Sequence, residues 1–176
     1  METTLIIIVA IIPVWLIVAF LLSKEMSIER TIIINKSRKQ VFEFLKLTKN
    51  QDQFSVWNRT DPEMKKEYRG TDGTVGFVYS WNSSTNKNVG AGEQETTHIE
   101  ENKKIEYEVR FIRPMQQVAK CAFVLKAVTP SQTLVQWAFY GHTHYPLNVL
   151  KFVFAKMLGR DLEKSLKDLK VLLEKI

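Results

Sequence analysis

Glu93 and Glu95 lie two residues apart, a spacing that places both carboxylates on one face of an extended chain. If they faced a cavity, they could work as general acid and base or hold a cation, because burial raises a carboxyl pKa towards neutrality. Facing water, they are solvated charges, and an outward position or one at a cavity mouth is expected. His142 and His144 project to one side if their segment is extended, and His98 would be the third ligand of a conceivable zinc site. No further ligand motif accompanies them, so they are read as surface groups and no metal is assigned. Cys121, between Lys120 and Ala122, reads as a small buried hydrophobe, since no motif supports a Cys–His nucleophile. Gly90-Ala91-Gly92 has the spacing of a phosphate loop, but no helix follows to meet a phosphate, so these glycines are expected to bend a strand. Acid/base chemistry, if present, would fall to Glu93, Glu95, Tyr107 or His98, and no residue set calls for a cofactor.

The elements that hold these residues follow from hydrophobic periodicity. Ile105, Tyr107, Val109 and Phe111 alternate with Lys104, Glu106, Glu108 and Arg110, the pattern of a strand with one buried and one wet face. Ser27–Ile34, Met64–Arg69, Phe77–Trp81, Val89–Ile99, Val118–Val128 and Leu134–Tyr140 read as further strands, with the charged Met64–Arg69 at a sheet edge. Ser37 is placed to cap a helix carrying Val41, Phe42, Leu45 and Leu47, and Asp52–Trp57 predicts a second short helix. From Pro146 onward Leu150, Phe154, Met157 or Leu158, Leu162, Leu166, Leu169 and Leu173 predict one amphipathic helix nearly to the end of the sequence. Its other face carries Lys151, Lys156, Arg160, Lys164, Lys167, Lys170 and Lys175. The order is strand, two helices, six strands and a long helix: an α+β domain.

Composition bounds the possibilities. Of the 176 residues, 45% are hydrophobic and 25% charged, the balance of a folded chain, and a single cysteine excludes an internal disulfide. All 25 Lys and Arg lie beyond Ser23, and Glu2 is the one acid before it, so the remainder is one charge more basic than the +6 of the whole. No basic block or zinc-finger spacing accompanies that charge, and nucleic-acid binding is not expected. Leu5–Leu22, LIIIVAIIPVWLIVAFLL, has no charged or strongly polar side chain. At about 1.5 Å per residue it predicts a transmembrane helix, with Pro13 as a tolerated kink. Without a basic start or an A-x-A exit it reads as an uncleaved anchor rather than a signal peptide. Lys24, Arg30, Lys36, Arg38 and Lys39 follow it, which places the rest of the chain in the cytoplasm of a single-pass protein. Residues 1–25 are thus expected to be the anchor and 26–176 the domain.

A set of short motifs gives the domain a family likeness. Ile32-Ile33-Ile34-Asn35-Lys36-Ser37 leads to Val41-Phe42, then come Trp57 with Asp61-Pro62, Gly73-Thr74-Val75-Gly76 with Trp81, and Val89-Gly90-Ala91-Gly92-Glu93. Trp137 before Gly141, Tyr145-Pro146, and Gly159-Arg160-Asp161 with Leu166 and Leu169-Lys170 complete the series. In this order the motifs resemble the START-like superfamily, also called SRPBCC or Bet v 1-like, and its polyketide cyclase/dehydrase-like branch, over about Ser27 to the C-terminus. The resemblance implies a helix-grip fold, a curved antiparallel sheet of about seven strands around the C-terminal helix, with a cavity for an apolar ligand between them. No cyclase motif matches residue by residue, so that activity does not carry over.

If the Tyr107–Phe111 face lines such a cavity, the expected ligand-binding residues are Tyr79, Trp81, Tyr107, Phe111, Phe123 and Trp137 from the sheet. Phe154, Met157 and Leu158 would join them from the helix. The same side chains would otherwise fill the core. The leading expectation is a membrane-tethered protein that binds a hydrophobic small molecule, such as a lipid, a polyketide or a quinone-like compound. Its alternatives are an enzyme acting on such a molecule, and a module whose basic helix face docks a partner or a membrane surface.

Overall fold

The computed structural model describes the backbone of residues 2–175 and the side chains of residues 12–175. Helix α1 (Glu2–Leu21) leads into β1 (Glu25–Ile34), followed by α2 (Arg38–Lys46), a 3₁₀ turn (Thr48–Asn50), α3 (Gln51–Phe54) and α4 (Val56–Arg59). Six strands come next: β2 (Lys65–Arg69), β3 (Val78–Asn82), β4 (Ala91–Glu100), β5 (Lys104–Arg113), β6 (Gln117–Thr129) and β7 (Gln132–His142). A 3₁₀ turn (Leu147–Leu150) precedes helix α5 (Lys151–Lys175). The seven strands form one antiparallel sheet in the order β1-β7-β6-β5-β4-β3-β2. The architecture is α+β, an antiparallel sheet holding a long C-terminal helix.

Local chemistry explains the helices. The Ser37 hydroxyl accepts from Gln40 N while the Gln40 side chain reaches back to the Ser37 backbone, a reciprocal cap that starts α2. The expected second helix is two single turns, because the Ser55 hydroxyl accepts from Asn58 N and restarts the chain in a new direction. Helix α5 also begins later than its periodicity suggests, since Leu147–Leu150 winds as the tighter 3₁₀ form. The buried face of α5, Leu162, Leu166, Leu169 and Leu173, packs on Ile28, Ile34, Val41, Phe42, Phe54 and Phe123. These side chains fill the space between the sheet, α2 and α5. At the other end a separate apolar cluster forms around Phe77, Tyr79, Trp81, Val89 and Val109.

The glycine reading holds. The β4–β5 register shifts between Ala91 and Gly92, and Gly90 adopts φ +61°, so the strand starts with a bulge. A Cβ on Gly92 would stand 2.5 Å from Trp81 Cζ2, so the missing side chain is the space into which the indole fits.

The N-terminal expectation is corrected. The side chains of residues 5–11 within the Leu5–Leu22 run lie outside the described residues, and among the described residues no helix is long and apolar enough to cross a membrane. The end of α1 is also tied to the domain. Trp15 Nε1 donates to the Pro146 carbonyl (3.1 Å), Asn148 Nδ2 to those of Ala19 (2.7 Å) and Leu22 (2.9 Å), and Lys151 Nζ to that of Ser23 (2.7 Å). The single-pass placement, with the domain in the cytoplasm, is therefore overturned.

Candidate functional site

Between the two apolar clusters, the concave side of the sheet and the first turns of α5 enclose a cavity of about 330 Å³, partly open to solvent. Its size falls at the lower end of small-molecule sites, roughly 300–1,000 Å³. Strand alternation builds the floor. Tyr79 and Trp81 on β3, Val109 and Phe111 on β5, and Trp137 and Phe139 on β7 all point inward. Leu158 and Leu162 close it from α5, while the exposed Phe154 and Met157 stand at the rim. Trp57 from α4 meets Phe111 edge-on, with ring centroids 6.3 Å apart, and Met115 comes from the β5–β6 turn.

The expected ligand residues divide into two groups. Tyr79, Trp81, Phe111, Trp137, Phe154, Met157 and Leu158 border the cavity. Tyr107 and Phe123 lie deeper, in the core. Tyr107 donates to the Leu45 carbonyl at 3.4 Å, and Phe123 packs 4.6 Å from the Trp137 ring. Sequence reasoning missed Trp57, Phe139, Met26 and Met115, whose positions depend on how loops and the first strand close the ends of the groove. It also missed Gln94, for which the signal was present: if Glu93 and Glu95 face out, the residue between them faces in.

The acidic pair does face out. Arg110 Nε reaches Glu93 Oε1 at 2.6 Å, Nη2 reaches Glu95 Oε2 at 2.6 Å, and Nη1 reaches Glu108 Oε1 at 2.5 Å, all on the convex face of the sheet. One guanidinium thus bridges three carboxylates on two strands and offsets part of their charge. His98 is exposed beside a bulge in β4, and neither it nor Tyr107 borders the cavity. His142 and His144 come within 5.8 Å, ring to ring, and His144 lies at the cavity rim. Among the described residues no group of three potential ligands gathers for a metal. On α5, Lys164, Lys167 and Lys170 are paired with Asp168, Glu163 and Glu174, so part of the basic face is internally neutralised.

Polar groups interrupt the cavity wall. Asp161 and Ser165 come from α5, Gln51, Ser55 and Asn58 from the α3–α4 bracket, and Gln94 from β4, while Asn88, Arg113, Gln117, Thr143 and His144 stand on the loops and strand ends around it. Burial raises the Asp161 carboxyl above its ordinary value. Removal from bulk water also pushes the thiol of the half-buried Cys121, which borders the cavity, from an ordinary 9.0 up to about 12, so the sulfur stays protonated at neutral pH. The Tyr79 hydroxyl is raised well above the phenol range, first by burial and then by the Asp52 charge. Neither that hydroxyl nor Gln94 Nε2 has a hydrogen-bond partner among the described residues.

With this geometry, similarity to solved structures is informative. The chain is similar to norcoclaurine synthase from Thalictrum flavum, solved in complex with dopamine and hydroxybenzaldehyde (9% identity, TM-score 0.63, covering 85% of this chain and 87% of that one). It is also similar to protein MLL2253 from Mesorhizobium loti (14% identity, TM-score 0.62, 85% and 97%) and to protein XoxI from Bacillus cereus (11%, 0.62, 84% and 95%). The fold is Bet v 1-like. At these identities the likeness extends to architecture, and each of these proteins' own roles stays with it. No family model matches the chain, and no curated protein does.

Proposed function

We propose that this protein binds an apolar small molecule in the cavity between the sheet and helix α5. The observation that carries the reading is the cavity of about 330 Å³ whose wall is mostly aromatic, aliphatic and methionine side chains. Filling it would remove the exposed faces of Phe154 and Met157 from water, at about 25 cal/mol for each Å² of apolar surface. Its ligand contacts would be Tyr79, Trp81, Phe111, Trp137, Phe154, Met157 and Leu158. A complex of one such neighbour with dopamine and hydroxybenzaldehyde supports the capacity of the fold to take small aromatic molecules.

The test is a titration with the dye 1-anilinonaphthalene-8-sulfonate, followed by its fluorescence, beside native mass spectrometry of the chain purified from its own cells. Leu158→Trp plugs the cavity from the α5 side and is expected to weaken dye binding at least tenfold without lowering the urea midpoint. Equal dye binding by the plugged variant, together with a protein free of any co-purifying molecule, would remove the reading. The acid/base alternative gains nothing from Glu93, Glu95, Tyr107 and His98, because none of them borders the space a substrate would enter.

A further inference from the structure

Two polar groups at the cavity wall have no hydrogen-bond partner among the described residues. Tyr79 on β3 and Gln94 on β4 are register partners on neighbouring antiparallel strands, so their side chains leave the same face of the sheet, and both border the cavity. Tyr79 is 3% exposed, its ring stacked on Tyr68 (5.6 Å) and flanked by the tilted ring of Trp81 (5.9 Å), so the position of its hydroxyl is fixed. That hydroxyl and Gln94 Nε2 are both buried without a hydrogen-bond partner among the described residues. A folded chain rarely keeps two such groups on one wall, because each has lost its water without gaining a hydrogen bond. A phenylalanine and a leucine would fit an all-apolar wall better.

Their chemistry is complementary to one kind of ligand atom. A phenol O–H and an amide N–H are both donors here, and a carbonyl oxygen has two lone pairs with which to accept both. Arg113 also lines the cavity, but its Nη2 already donates to Asn82 Oδ1 (2.6 Å) and to the Ser83 carbonyl (3.4 Å), so a neutral oxygen suits Tyr79 and Gln94 better than an ionised carboxylate. Burial keeps the Tyr79 hydroxyl protonated, so it remains a donor at every physiological pH.

Building on the proposed cavity function, we infer that the occupant is an aromatic or aliphatic ketone-type molecule, its neutral carbonyl oxygen accepting hydrogen bonds from Tyr79 Oη and Gln94 Nε2.

The test compares two near-isosteric probes, 2-acetylnaphthalene and 2-ethylnaphthalene, each displacing 1-anilinonaphthalene-8-sulfonate from the full chain, in wild type, Tyr79→Phe and Gln94→Leu. Each substitution is expected to weaken the ketone roughly tenfold, the loss of one hydrogen bond to a buried group, and to leave the hydrocarbon within about twofold. The urea midpoint of the unliganded Tyr79→Phe protein should stay level or rise, since the change removes an unpaired hydroxyl. If the ketone is unaffected, or both probes lose equally, the carbonyl assignment falls while the cavity reading stands. If wild type binds neither probe, both fall. A lowered Tyr79→Phe midpoint would show that the hydroxyl already has a partner in the fold, and would overturn the assignment by itself.

Discussion

Gly92→Ala tests whether the bulged start of β4 exists to seat Trp81 at the cavity wall. A Cβ on this residue would lie 2.5 Å from Trp81 Cζ2, 2.7 Å from Cη2 and 2.6 Å from the Arg110 carbonyl oxygen. Carbon–carbon contacts settle at about 3.5–4.0 Å, so the indole must retreat by roughly 1 Å. It has little freedom to do so. Trp81 is 4% exposed, its Nε1 donates to the Val89 carbonyl at 3.2 Å, and its ring packs edge-on against Phe111 at 5.8 Å. Overpacking of this kind costs about 1–3 kcal/mol, and a broken indole hydrogen bond adds about 1 kcal/mol. Replacing glycine stiffens the unfolded chain and returns about 0.4–1 kcal/mol. The net loss is therefore about 1–3.5 kcal/mol, read as a lowered urea midpoint at unchanged slope. A double-mutant cycle with Trp81→Leu should recover part of it, since the smaller side chain vacates the contested space. A Gly92→Ala protein within about 0.5 kcal/mol of wild type, or a cycle with no coupling, would refute the steric argument.

Further predictions concern charge, burial and the first helix. Arg110→Met leaves Glu93, Glu95 and Glu108 unbalanced on a half-exposed face and should destabilise by about 1 kcal/mol. Repeating the urea titration in high salt should shrink that difference, because screening relieves the carboxylate repulsion. The raised thiol of Cys121 binds its proton in the folded state after the unfolded chain has released it. Stability from this group is therefore intact below about pH 9 and declines towards pH 12, and thermal melts of Cys121→Ala across that window should decline less steeply. Phe123→Ala removes a fully buried ring that packs against Phe54, Tyr107 and Trp137, with an expected loss of about 3–5 kcal/mol by urea unfolding. Asn148→Leu cuts two hydrogen bonds to the end of α1, and hydrogen exchange at the amides of residues 18–22 should accelerate while that of β5 and β6 is unchanged.

Alternation and punctuation made the domain legible from its residues. The Lys104–Phe111 pattern assigns each side chain of β5 to a face, and the structure keeps every one of those assignments. A strand's two-residue period lets composition alone say what is buried. The Ser37 cap, the bent glycines at the start of β4 and the leucine stripe of α5 are local signals of the same kind. What the residues could not say was which part of the buried face is filled by protein and which part is left open. Tyr107 and Phe111 are identical in pattern, yet the first sits under α2 in the core, its hydroxyl donating to the Leu45 carbonyl, while the second faces the space left open between the sheet, the α3–α4 bracket and helix α5. The apolar run at the start likewise carried no information about the bonds from Trp15, Ala19 and Leu22 to the turn before α5, which bridge well over a hundred residues. Composition and period are properties of a segment. A cavity, an orphaned hydroxyl and a docked helix end depend on what the rest of the chain places opposite, and the tertiary structure alone decides that.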